Sequence, residues 1–131
     1  SPVFVGGGTI FGPKPRDYRF KLNIKVKRLA RRSALSYKAK DSAMTVVENF
    51  TFEGPKTKKM IEVLNNLKLN DKKSLFVLEN QNNFVSLSAR NLKNVKVVNV
   101  SQLNTYDIVN ASNIVVCECS LNEINRVLAT K

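Results

Sequence analysis

The sequence predicts a three-layer α/β/α fold around a mainly parallel four-stranded sheet, with an extended basic arm at its amino end. Three observations lead there. From residue 43 onward, short clusters of Val, Ile and Leu alternate with stretches of helical periodicity. Strands separated by helical crossovers form a mainly parallel sheet with helices on both faces. The 131 residues suffice for one domain with a real core and are too few for two ordinary ones. Four of the five glycines and three of the four prolines fall in residues 1–17, a composition that suits neither helix nor strand. The expected organisation is an arm over residues 1–17 and a single α/β domain over residues 18–131.

The arm reads SPVFVGGGTIFGPKPRD. Gly6, Gly7 and Gly8 permit positive φ and a close backbone approach to a partner, while Pro13 and Pro15 hold the chain extended around Lys14 and Arg16. Phe4 and Phe11 add rings able to stack on bases. From Tyr18 to Lys40 the pattern turns helical. Leu22, Val26, Leu29, Ala30, Ser33, Ala34 and Tyr37 share an arc of about 140° on a helical wheel. Lys21, Lys25, Arg28 and Arg32 form a stripe beside that arc, and Lys27, Arg31 and Lys38 fill its other flank. Ile24 and Leu35 fall on the basic side, which points to a partner covering it.

Beyond Asp41 the elements alternate. AMTVVENF (43–50) reads as a strand and PKTKKMIEVLNNLKL (55–69) as a helix with Pro55 in its first turn. SLFVLE (74–79) is a second strand, NNFVSLSARNL (82–92) a short helix, VKVVNV (95–100) a third strand and LNTYDIVNAS (103–112) another short helix. NIVVCE (113–118) is the fourth strand, and LNEINRVLAT (121–130) closes the chain as a helix, with Ser120 at its N-cap and Glu123 three residues on. The alternation Cys117, Glu118, Cys119 would place both thiols on one face of a strand, as small buried hydrophobes.

Charge is the most unequal feature of the chain. Of the 22 Lys and Arg, eleven lie at or before residue 40, accompanied by one of the ten acids, Asp17. The remainder is nearly balanced. Charged faces that merely meet water mix their signs, so a localised cationic block implies a polyphosphate partner, whose condensed counterions Lys and Arg displace.

Several chemistries are excluded by composition. With no histidine, neither Ser/His/Asp nor Cys/His catalysis nor a Cys/His metal site can be assembled. The letters from Gly7 to Lys14 superficially suggest a phosphate loop, but Pro13 separates Gly12 from Lys14 and Pro15 replaces the Ser or Thr that would bind magnesium. The dinucleotide fingerprint fails too, because Phe11 follows Gly6 and Gly8 where Gly or Ala is needed. Neither Glu48 with Glu53 nor Asp107 with Glu118 has the spacing of a catalytic dyad. No apolar run approaches the length of a membrane span, and no export signal opens the sequence. The expectation is a soluble, non-catalytic chain with no cofactor, metal or membrane partner.

GGGTIFGPKPRDYRFKL followed by KVKRLARRSALSYKA closely resembles the bacterial form of the large-subunit ribosomal protein four family, in which a return strand reads much like GGG-x-x-FGPKPRDY. The likeness continues through EGPKTKK (53–59), SLSARNLKNVKVVNV (86–100) and LNTYDIVNA (103–111) and covers essentially the whole chain. NIVVCECS (113–120) departs from it in its cysteines. The resemblance implies a structural protein of the cytoplasmic ribosome that binds large-subunit rRNA early in assembly, beside neighbouring large-subunit ribosomal proteins. It implies a long loop lining a constriction of the peptide exit tunnel and, in some bacteria, repression of its own operon through an mRNA leader. Residues 1–17 map onto the returning limb of that loop, with a further stretch expected upstream. The rRNA-binding residues expected are Gly6, Gly7, Gly8, Phe11, Lys14, Arg16, Arg19, Lys21, Lys25, Lys27, Arg28, Arg31, Arg32 and Lys38.

Overall fold

The computed structural model describes residues 3–79 and 83–129. Helix α1 (Ile24–Lys40) leads into strand β1 (Met44–Val47), followed by α2 (Thr57–Asn66), β2 (Ser74–Leu78), α3 (Asn83–Arg90), β3 (Val95–Asn99), a 3-10 turn (Val100–Gln102), α4 (Thr105–Asn110), β4 (Asn113–Cys117) and α5 (Glu118–Leu128). The four strands are all parallel in the order β1-β4-β2-β3. Between Val3 and Asn23 no helix or strand forms. A turn closed by Gly7 N–H donating to the Phe4 carbonyl (2.8 Å) needs a positive φ in its interior, and Gly6, with no Cβ to clash, supplies it at 84°.

The sheet is buried on both faces because its two central strands, β2 and β4, are apolar at every position after the first, Ser74 and Asn113. Leu75, Val77, Ile114 and Val116 point to one side and meet α1, α4 and α5 through Ala34, Ile108, Ile124 and Leu128. Phe76 and Val115 point to the other, against Met60, Leu64 and Ala89 of α2 and α3. The three layers predicted from the alternating pattern are present.

Four local expectations change. The helix expected from Tyr18 begins at Ile24. Tyr18, Phe20 and Leu22 alternate with Arg19 and Lys21, an extended period of two, and all three apolar side chains stand exposed. Pro55 precedes α2 instead of opening it. Helix α5 follows β4 with no loop, so Ser120 is not an N-cap: it lies buried in the first turn, its hydroxyl donating to the Val77 carbonyl at 3.2 Å. Cys117 ends β4 inside the core, whereas Cys119 sits on α5, exposed, where the Asn49 amide donates to its sulfur. The two thiols do not share a strand face. Asn82 and Thr130, sequence-assigned ends of two helices, lie outside the described residues.

The docked face of α1 also differs from the predicted arc. Arg28, Arg31, Ala34, Leu35 and Lys38 turn toward α4 and α5, and Leu29 and Tyr37 of the apolar arc are each 64% exposed. Two contacts set this rotation about the helix axis. Ala34 is small enough to enter the core, and Lys38 Nζ donates to the Ala111 carbonyl at 2.6 Å, at the end of α4. The partner that covers Leu35 is the chain's own core.

Phe76 is 1% exposed between two helical layers, whereas Val46, on edge strand β1, is 55% exposed. Phe76→Ala should lower unfolding free energy by about 3–5 kcal/mol in urea titrations, and Val46→Ala by about 0.5 kcal/mol or less. Equal effects would contradict the double-sided core.

Candidate nucleic-acid interface

No Asp or Glu occurs between Tyr18 and Lys40, so α1 has no acid to neutralise its cations internally. Lys25, Lys27 and Arg32 are exposed; Arg28 and Arg31 are half-buried where the helix meets the core. Their long apolar stems can lie against that core while their charged ends reach water, which lets one helix serve both surfaces. Lys25, Lys27, Arg28 and Arg31 make no ion pair with a carboxylate among the described residues. Lys38 differs from them. Its ammonium is held by the Ala111 carbonyl, a favourable place for a cation because α4 ends there.

The segment before α1 displays the other expected residues without gathering them into a pocket. Gly6, Gly7, Gly8, Phe11, Lys14, Arg16, Arg19 and Lys21 are all exposed, Phe11 by 96%. Arg16 stacks over the Tyr18 ring, 4.6 Å from its centroid, and Arg19 lies 4.0 Å from Asp17. Both pairs are local and leave the outer faces of the cations open to solvent.

The structure gathers further cations that sequence reasoning missed. Lys73, Lys93 and Lys96 line one cleft of about 230 Å³ together with Asn94 and Asn110. Lys96 Nζ contacts both carboxylate oxygens of the buried Asp107 at 2.7 Å, and the Asp107 N–H donates to the Asn104 side chain that caps α4. Asp107 is thus part of a structural pair, at the opposite end of β4 from Glu118. Glu53 lies 3.9 Å from Lys59. A second cleft of about 730 Å³, between α1 and α5, is largely apolar, with Leu35, Met44, Leu121 and Leu128 among its walls. Among the described residues, no group of three or more His, Cys, Asp or Glu could hold a metal ion, and no helix is long and apolar enough to cross a membrane.

The model of the ribosomal protein L4/L1 family matches residues 1–127. The chain belongs to that family. It is 62% identical over 121 residues to the large ribosomal subunit protein uL4 of Parabacteroides distasonis, covering 92% of this chain and 58% of the relative. It is 59% identical over 128 residues to uL4 of Bacteroides fragilis and 56% identical over 128 residues to uL4 of Cytophaga hutchinsonii, covering 98% of this chain and 62% of each relative. The chain thus spans about three fifths of the length of the curated relatives it matches.

Burial, with a smaller contribution from the neighbouring Cys119, raises the Cys117 thiol above its ordinary pKa. A raised pKa keeps Cys117 protonated and unreactive at neutral pH, since the thiolate is the nucleophile. Iodoacetamide at neutral pH should therefore modify Cys119 in the folded chain, and Cys117 only after denaturation. Mass spectrometry of tryptic peptides checks the order; modification of Cys117 first would contradict the placement of β4.

Proposed function

We propose that the chain is a structural, non-catalytic component of the large ribosomal subunit that binds large-subunit rRNA in the cytoplasm, beside neighbouring large-subunit ribosomal proteins. The observation that carries this reading is α1, a helix free of acids, docked on the α/β body by one edge and presenting Lys25, Arg28 and Arg32 as a stripe one turn apart. The names of the relatives support the subunit assignment. In this reading the body anchors α1, and α1 neutralises phosphates. Residues 3–17 then offer Gly6, Gly7, Gly8, Phe11, Lys14 and Arg16 to backbone and bases as the returning limb of a loop directed at the exit tunnel. Phosphate contacts of this kind position the protein, whereas rings such as Phe11 act by stacking.

Binding should be salt-sensitive, with a slope of log K against log salt set by the number of phosphates contacted. Replacing Lys25, Arg28 and Arg32 with Gln should reduce that slope by about 2–3 for in vitro transcribed large-subunit rRNA, measured by filter binding across a salt series. An unchanged slope would remove α1 from the interface. Competition by an mRNA leader of the chain's own operon, at concentrations that displace rRNA, would favour a regulatory role for the same surface.

A further inference from the structure

We propose that the amino-end rim of the sheet is a second RNA-backbone contact surface, centred on the cleft that Lys73 and Lys93 share. The proposal rests on the rRNA-binding reading above and adds a face of the domain to it.

In an all-parallel sheet every strand is entered from the same end. Three of the four segments entering strands carry lysines: Lys38 and Lys40 ahead of β1, Lys72 and Lys73 ahead of β2, and Lys93 ahead of β3. Three of the four strands are followed directly by a glutamate, Glu48 after β1, Glu79 after β2 and Glu118 after β4, although Lys56 and Lys58 also lie at that end, where α2 begins. The sheet is therefore electrically polar, and its entering end is the one suited to phosphate.

Backbone hydrogen bonds hold the entering segments together. Ser74 N–H donates to the Asn94 carbonyl at 2.8 Å, and the N–H groups of Ser112 and Asn113 donate to the Lys73 carbonyl at 2.8 and 3.1 Å. Lys73 and Lys93 are thereby fixed on one cleft although 20 positions separate them in sequence. The cleft's acid, Asp107, is already neutralised by Lys96. Lys73 Nζ makes only a long 3.4 Å contact with the Asn110 side chain, and Lys93 has no side-chain partner among the described residues. Asp41 and Asp71 also lie at this end, both exposed, and the cations outnumber them. The side chains of Asn94 and Asn110 add neutral donors to the cleft wall. Lys38, bonded to Ala111 in the same segment as Asn110, joins the rim to the last turn of α1. A phosphate backbone can thus pass from the helix to the sheet end without leaving a cationic surface.

The test compares three variants of the chain on in vitro transcribed Bacteroides fragilis large-subunit rRNA, with circular dichroism melts to confirm folding. K73Q/K93Q should lower the slope of log K against log salt by about 1.4–1.8, the loss of two phosphate contacts. K56Q/K58Q removes the same charge from the opposite end of the sheet, where α2 begins, and should leave the slope unchanged. An unaltered slope for K73Q/K93Q, or an equal drop in K56Q/K58Q, overturns the rim as a contact surface. If the rim alone is wrong, replacing Lys25, Arg28 and Arg32 with Gln still lowers the slope. If the unaltered chain fails to bind this rRNA even at low salt, the rRNA-binding reading falls and the rim with it.

Discussion

The two-sided burial of β2 and β4 is the constraint on which the rest of the structure depends. Ser74–Leu78 is buried at every position, and Ile114–Cys117 likewise, so neither face of the sheet centre can meet water. Parallel neighbours cannot be joined by tight turns, and each crossover must cover the face it traverses. Helices α2 and α3 cover one face, and α1, α4 and α5 the other. Once both faces are covered, charge is left with the outer surfaces of the helices and the two ends of the sheet. The cationic stripe of α1 and the basic entering rim occupy such places, so the electrostatics of the domain follow from its hydrophobic layering.

The type and order of the elements were legible in the sequence because each is written in a single period. The boundaries that misled did so for physical reasons. At 18–23, Leu22 and Val26 are spaced as in a helix, but Tyr18, Phe20 and Leu22 alternate as in an extended chain, and no core lies near to favour the helical reading. At 117–120 the sequence lacks a loop between strand and helix. Ser120 has the chemistry of an N-cap yet is drawn inward to satisfy the Val77 carbonyl. Periodicity also could not give the rotation of α1, because it depends on tertiary contacts, Ala34 with the core and Lys38 with Ala111.

The candidate site divides in the same manner. A contiguous basic block from Lys14 to Lys40 is visible in any charge count, and the structure displays most of it. Lys73 and Lys93 are not visible in that way. Neither lies in a long cationic run, and only the strand order β4-β2-β3 brings their segments together. The sequence did contain a usable signal, which is that lysines stand within four residues ahead of three strands and glutamates directly follow three. It gains meaning only when the strands are known to be parallel.

The property that suits α1 to phosphates also weakens its amino end. Its first turn has no acid to oppose the helix dipole, and Asn23 makes no side-chain capping bond. Lys25 with Arg28 and Arg28 with Arg32 are like charges at helical neighbour spacing within α1, each pair costing about 0.2–0.5 kcal/mol, and Lys21 with Lys25 would add a third were the helix to extend toward residue 21. At the other end the balance reverses. Lys38 and Lys40 complement the dipole, the Asp41 N–H donates to the Tyr37 carbonyl at 2.9 Å, and Ser42 turns the chain into β1 with a φ of 52°. The helix is thus anchored where it enters the sheet and least supported where the basic arm begins. Bound phosphates along its cationic stripe would relieve the repulsion within it. In the proposed function, RNA binding and the order of this helix would therefore be coupled through the same side chains.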